Sequence, residues 1–141
     1  MNEKCLNLLG MMRKAGAIEI GEANTGIACR DGKAKLLILA ADASDNARRR
    51  AESFVNGRKT VMIKLPFTKE EVSEKVGAGG CSMAAVTDLG FANAFVKLLA
   101  ADEPERYAEA AETLNARYDK AVRRKKSKAV EKKKRQGKRE E

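Results

Sequence analysis

Apolar positions along the chain repeat with two periods, and the switches between them mark the elements. Residues 3–15 place Cys5, Leu6, Leu8, Leu9, Met12 and Ala15 at helical spacing, and Gly16 ends the run. Ile18 and Ile20 then read as a short strand that stops at Gly21. Glu22 to Asp31 reads as a second helix closed by Gly32. Leu36–Ala40 is continuously apolar, the pattern of an inner strand covered on both faces. Ser44 is placed to cap a helix from Asp45 to about Asn56, and Asn56-Gly57 is a stop signal. Thr60–Ile63 reads as the third strand. Thr68 and Glu71 have capping-box spacing at the head of a helix over Lys69–Val76. Gly77–Gly80 reads as a turn and Ser82–Val86 as the fourth strand. Thr87 and Asp88 should cap a helix from Leu89 to about Ala100 that buries Phe91, Phe95 and Leu98 or Leu99. The order α-β-α-β-α-β-α-β-α predicts a three-layer α/β/α sandwich around a four-stranded, mostly parallel or mixed sheet.

The pattern then changes. Pro104 suits the first turn of a sixth helix, in which Tyr107, Ala111, Leu114, Tyr118 and Ala121 form a narrow apolar stripe. The stripe fades after Val122, and from Arg123 the Lys/Arg run is expected to be frayed helix or disordered. The chain therefore divides into a domain at residues 1–101 and a C-terminal helix with a basic tail at residues 102–141. Packing of the stripe onto its own domain is the plainer expectation. Docking of a partner is the other.

Charge follows the same division. The net charge is +9, yet residues 117–141 alone hold 13 Lys or Arg against 4 Asp or Glu, so residues 1–116 are neutral. A high isoelectric point therefore describes the tail, which could bind any polyanion, and not the domain. Residues 1–99 are mildly basic, with 15 cations against 11 anions. Aromatics make up only 4% of the chain, and Trp is absent, which argues against base stacking on aromatic platforms. Histidine is also absent, so Cys–His and Ser–His nucleophiles and His-ligated zinc are excluded. Three scattered cysteines, Cys5, Cys29 and Cys81, do not make a disulfide framework and fit a reducing cytoplasm. No apolar run is long enough to span a membrane, and Walker and dinucleotide fingerprints are missing. No cofactor and no metal are expected.

The stretch with the most chemistry is IEIGEANTGIACRDG, residues 18–32. Strand, glycine and helix in that order leave free backbone N–H groups at a helix start, a ready site for a phosphate. Asn24 can donate and accept, so it can read a base edge. An ordinary strand-to-helix turn with a solvated Asn fits the local pattern first. Gly26 inside the helix costs roughly 1 kcal/mol relative to Ala. Such a glycine suits a close approach, to the sheet or to a ligand. Arg13 and Lys14 suit the dipole of the first helix. Arg48, Arg49 and Arg50 are consecutive, span much of the helix circumference, and read as solvated surface.

Taken together, LGMMRKAGAIEIGE, GKAKLLILAADASDNARRR and AAVTDLGFA resemble the small bacterial members of the L-seven-Ae/L-thirty-e family of ribosomal proteins, which bind kink-turn RNA. The resemblance covers about residues 3–100. It implies a four-stranded mixed sheet between helices, with RNA bound at one end. It also implies that the start of the second helix and the loop between the last strand and last helix grip the bent backbone and sheared G·A pairs. The RNA-facing residues would be Gly21, Glu22, Ala23, Asn24 and Ile27 on the helix, with Val86, Thr87 and Asp88 in the loop. Arg30, Lys33 and Lys35, with Arg13, would add phosphate attraction. Strong kink-turn binders carry Asn or Lys, then Glu or Gln, then Lys three residues later, where this chain has Ala23, Asn24 and Ile27. One lost charge-assisted contact costs roughly 1.5–3 kcal/mol, about tenfold to more than a hundredfold in affinity.

The first expectation is therefore a non-enzymatic, ribosome-associated protein that binds kink-turn or similar structured RNA, its tail adding sequence-independent phosphate contacts. The second is a protein-interaction or ribosome-assembly module on the same fold with little RNA specificity. An enzyme is the third. Asp42, Asp45 and Asp88 are its available carboxylates, and helix capping and solvation account for all three. No membrane partner is expected, and the oligomeric state is open.

Overall fold

The structure is a computed structural model that describes residues 3–77, 79 and 81–140, with side chains as far as Val130. Ten elements follow in chain order: α1 (Glu3–Ala15), β1 (Ile18–Ile20), α2 (Glu22–Arg30), β2 (Leu36–Leu39), α3 (Asp45–Val55), β3 (Val61–Lys64), α4 (Lys69–Val76), β4 (Met83–Val86), α5 (Leu89–Asp102) and α6 (Pro104–Glu140). The strands form one mixed sheet in the order β1-β4-β2-β3. β4 is antiparallel to both β1 and β2, and β2 is parallel to β3.

β2 and β4 are buried along their whole length, so each has apolar side chains on both faces. Leu36, Ile38, Ala84 and Val86 join a core that α1, α4, α5 and α6 cover through Leu9, Met12, Val72, Phe95, Leu99 and Leu114. Leu37, Leu39, Met83 and Ala85 face the other way, onto Ala28 and Cys29 of α2 and Ala47 and Ala51 of α3. This is an α/β/α sandwich. Its period-2 strands set the two cores apart by alternation alone.

The expected caps form at Ser44, Thr68 and Asp88, while Thr87 pairs with β1 and leaves the capping to Asp88. Ser44 accepts from the Ala47 N–H at 3.1 Å, and Asp88 accepts from the Phe91 N–H at 2.9 Å. The Thr68–Glu71 capping box closes in both directions. Gly26 packs against α3 and not against the sheet. A Cβ there would lie 2.9 Å from the Phe54 ring, so the missing side chain lets α3 approach α2. The turn expected over Gly77–Gly80 includes Ala78 and Gly80, which lie outside the described residues. Gly77 ends α4 in the left-handed conformation.

α6 is the element that differs most from its sequence reading. Its apolar stripe packs onto its own domain, with Tyr107 and Leu114 wholly inside the core. The Tyr107 hydroxyl donates to the Lys64 carbonyl at one end of β3, and Arg117 donates to the Lys59 carbonyl, 2.6 Å away, before the other end. α6 thus lies along the β3 edge and caps it against further strand pairing. The fraying expected from Arg123 is absent, because the backbone is one helix through Glu140. Ala, Lys, Arg and Glu dominate this segment, and all are strong helix formers. Among the described residues, no helix is long and apolar enough to cross a membrane.

Candidate nucleic-acid interface

The start of α2 is built around Gly21. Its φ of +93° and ψ of 162° belong to a region open to glycine and closed to residues with a Cβ. From there its N–H donates to the Met83 carbonyl at 3.1 Å, and its carbonyl accepts from the Thr25 N–H at 2.9 Å. One residue therefore joins the sheet to the first helical turn. No side chain caps α2, unlike α3, α4 and α5. Its leading N–H groups and the positive end of its dipole stay open to an anion.

Side chains at this start are exposed or half-buried. The Asn24 amide nitrogen donates to the Ile20 carbonyl at 3.0 Å, which holds the side chain in place and leaves Oδ1 as an acceptor. Ala23 is exposed, and Ile27 is 46% exposed, so a bulky apolar side chain stands in solvent one turn along. Glu22 is engaged by Arg50, whose guanidinium donates to both carboxylate oxygens at 2.8 and 3.0 Å. Arg48, Arg49 and Arg50 are all exposed, as read from the sequence, and the structure adds partners for Arg48 and Arg50. Arg48 does pair within its own helix, with Glu52 at 2.9 Å, but Arg50 reaches across to α2 and brings a cation to the open start.

The sheet puts Gly21 and the Val86–Asp88 segment at opposite ends of the β1–β4 pair, while Asn24 and Ile27 on α2 still reach the cleft that Thr87 lines. Because β1 and β4 are antiparallel, Gly21 meets Met83, whereas the Thr87 N–H donates to the Ala17 carbonyl at the opposite end of the pair. Those ends are about 13 Å apart along the strand. At the Gly21 end lie Gly21, Glu22, Ala23 and Asn24. At the Thr87 end lie Arg30, Lys33, Lys35, Val86, Thr87 and Asp88, with the Lys35 N–H donating to the Val86 carbonyl. Ile27 lies between. The connection beside the open helix start is the one leading from α4 into β4, where the Cys81 thiol reaches Gly21 and Met83. Sequence reading missed Cys81 and Met83, and only the strand pairing reveals them.

Val86 is wholly buried in the sheet, so its side chain meets no ligand. The Asp88 carboxylate is occupied as the α5 cap. Asn24, Ile27, Lys33 and Thr87 share one open cleft of about 370 Å³, together with the acids Glu19 and Asp31. Arg30 lies in a neighbouring cleft of about 580 Å³ with Ile27, Phe54 and Arg58. Burial pushes the thiols of Cys5, Cys29 and Cys81 up, Cys5 to about 11. They are neutral, poorly reactive groups at neutral pH. Asp42 accepts from the Lys69 N–H at 2.7 Å at the head of α4, and Asp45 lies 3.9 Å from Arg48. All three carboxylates singled out in the sequence thus have structural partners.

The fold and this helix start define a small α/β domain whose second helix begins on a glycine without a side-chain cap. Over 96 residues the chain is 32% identical to the RNA-binding protein YlxQ of Bacillus subtilis (strain 168), a match covering 65% of this chain and 91% of that protein. It is 28% identical over 97 residues to the RNA-binding protein YlxQ of Enterococcus faecium, covering 69% and 92%. The chain belongs to this family. Its fold also matches the solved structure of a protein with unknown function from Bacillus halodurans C, with a TM-score of 0.62 and 22% identity over 67% of this chain and 95% of that one. No family model matches the chain.

Proposed function

We propose that this chain is a non-enzymatic RNA-binding protein whose folded domain recognises a kink-turn or similarly bent RNA, in association with the ribosome or another structured RNA. Membership of a family whose curated relatives are called RNA-binding proteins supports RNA as the partner. The observation that carries the reading is the open start of α2, where free backbone N–H groups, the Asn24 Oδ1 acceptor and Arg50 converge. The N–H groups suit a phosphate, Asn24 suits a guanine edge, and Arg50 offsets the charge of Glu22 beside them. Cys81 and Met83 stand beside Gly21 as one wall, and Thr87 shares a cleft with Asn24 and Ile27 on the other side. Recognition by backbone shape and a few base edges fits a domain poor in aromatic residues.

The test titrates full-length protein against a kink-turn RNA and against the same RNA with its sheared G·A pairs disrupted. The expected result is at least tenfold preference for the intact kink, lost in Asn24→Ala without a change in thermal unfolding. Equal affinity for both RNAs would sink the kink-turn reading and favour an assembly module on the same fold.

A further inference from the structure

At the Thr87 end, away from the α2 start, lies a cleft of about 430 Å³ walled by the α2–β2 turn, the α3–β3 turn, the head of α5 and α6. Four of the residues lining it are Lys35, Arg58, Lys59 and Arg117, and none is acidic. We propose that this cleft is a second phosphate site, gripping the phosphodiester backbone of the same RNA and continuing onto one face of α6.

The charge of the cleft is both organised and available. Arg117 donates to the Lys59 carbonyl at 2.6 Å, and Arg58 donates to the Arg30 carbonyl at 3.4 Å. Neutral carbonyls orient the guanidiniums without cancelling their charge. Among the described residues the donors left over have no protein partner, which is the arrangement a phosphate needs. Among the described residues, none of the four cations is in an ion pair, whereas Arg48, Arg50 and Arg106 all are. Cys29 also lines the cleft, and burial keeps its thiol neutral.

α6 carries the same charge outward. It starts near the Lys64 end of β3, passes the cleft at Arg117 and packs Tyr118 against Gly90 before leaving the domain. Arg117, Lys120, Arg124 and Lys128 fall at steps of three and four residues, on one face of the helix. Asp119 falls on the opposite face. The stripe spans roughly 17 Å from Arg117 to Lys128. A strand seated in the cleft would therefore run on along α6.

The proposal rests on RNA being the partner but not on kink recognition, and the test separates the two. Full-length wild type, Arg58→Gln/Lys59→Gln, Arg117→Gln and Lys125→Gln/Lys126→Gln are titrated with the kink-turn RNA and its disrupted form across a salt series. The last variant removes two charges from α6 off the stripe. Each lost phosphate contact lowers the log–log salt slope by about 0.7–0.9. The cleft pair should thus flatten the slope by about 1.4–1.8, its deficit shrinking about tenfold between 50 and 200 mM salt. Arg117→Gln should flatten it by about half as much, and the Lys125/Lys126 pair by clearly less than the cleft pair. Preference for the intact kink should be unchanged in every variant. Loss of that preference in wild type, with the slope changes intact, defeats the kink reading and leaves the cleft standing. Equal effects from the cleft and Lys125/Lys126 pairs, no slope change in the cleft pair, or no RNA binding at all would overturn the cleft. So would a cleft pair that loses binding only to phosphatidylserine vesicles.

Discussion

Helices α2 and α4 begin at the same end of the sheet and treat their first N–H groups in opposite ways. At α4, Thr68 accepts from the Glu71 N–H, Glu71 accepts from the Thr68 N–H, and Asp42 accepts from the Lys69 N–H. Three donors are closed by the protein itself. At α2, Gly21 supplies no side chain, and Asn24 turns its amide back to Ile20. The closed start adds stability and offers nothing to a ligand. The open one forgoes a few tenths of a kcal/mol of capping and leaves its first N–H groups without a side-chain acceptor. Mutations that close or fill the α2 start should therefore act on RNA binding, and those at α4 on stability alone.

The largest effect is expected at Ile27. Because this side chain is exposed, Ile27→Lys should leave thermal unfolding within about 0.5 kcal/mol of wild type. It should tighten kink-turn binding by about tenfold to a hundredfold through one charge-assisted phosphate contact. An unchanged affinity would mean that RNA does not pass over this face of α2. Gly21→Ala comes next. Forcing a Cβ into φ +93° should cost about 1–3 kcal/mol in chemical denaturation and weaken RNA binding as well, since the same residue ties α2 to Met83. Loss of stability with full RNA affinity would show that the helix start is not the anion site. Thr68→Ala is the smallest. It should cost about 1 kcal/mol of stability and leave RNA affinity untouched. A fall in RNA affinity there would erase the contrast between the two helix starts.

Features that depend on neighbours in sequence were legible in advance. The caps at Ser44, Thr68–Glu71 and Asp88 rely on contacts three residues away, and all three form. The buried run Leu36–Ala40 announced an inner strand, which the structure extends from Leu36 to Leu39. Contacts across the chain were not legible. Arg50 is 28 residues from the Glu22 that it pairs with. The partner of Gly26 is a ring on α3, where the sequence suggested the sheet or a ligand. Val86–Asp88 reads as a loop near the second helix, but antiparallel pairing puts it at the far end of the strands from Gly21.

The sequence by itself determined the alternation of helices and strands, the two-faced burial of the central strands, the basic C-terminal run and the uncapped glycine before α2. Each follows from hydrophobic period, local side-chain chemistry or composition, which act over a few residues. Only the tertiary structure decided which loop stands beside that glycine, that Tyr107 and Leu114 of α6 enter the core, and that Lys35, Arg58, Lys59 and Arg117 share a cleft. Strand order and direction set those distances. They are won by the packing of whole faces, a property that no short stretch of chain carries.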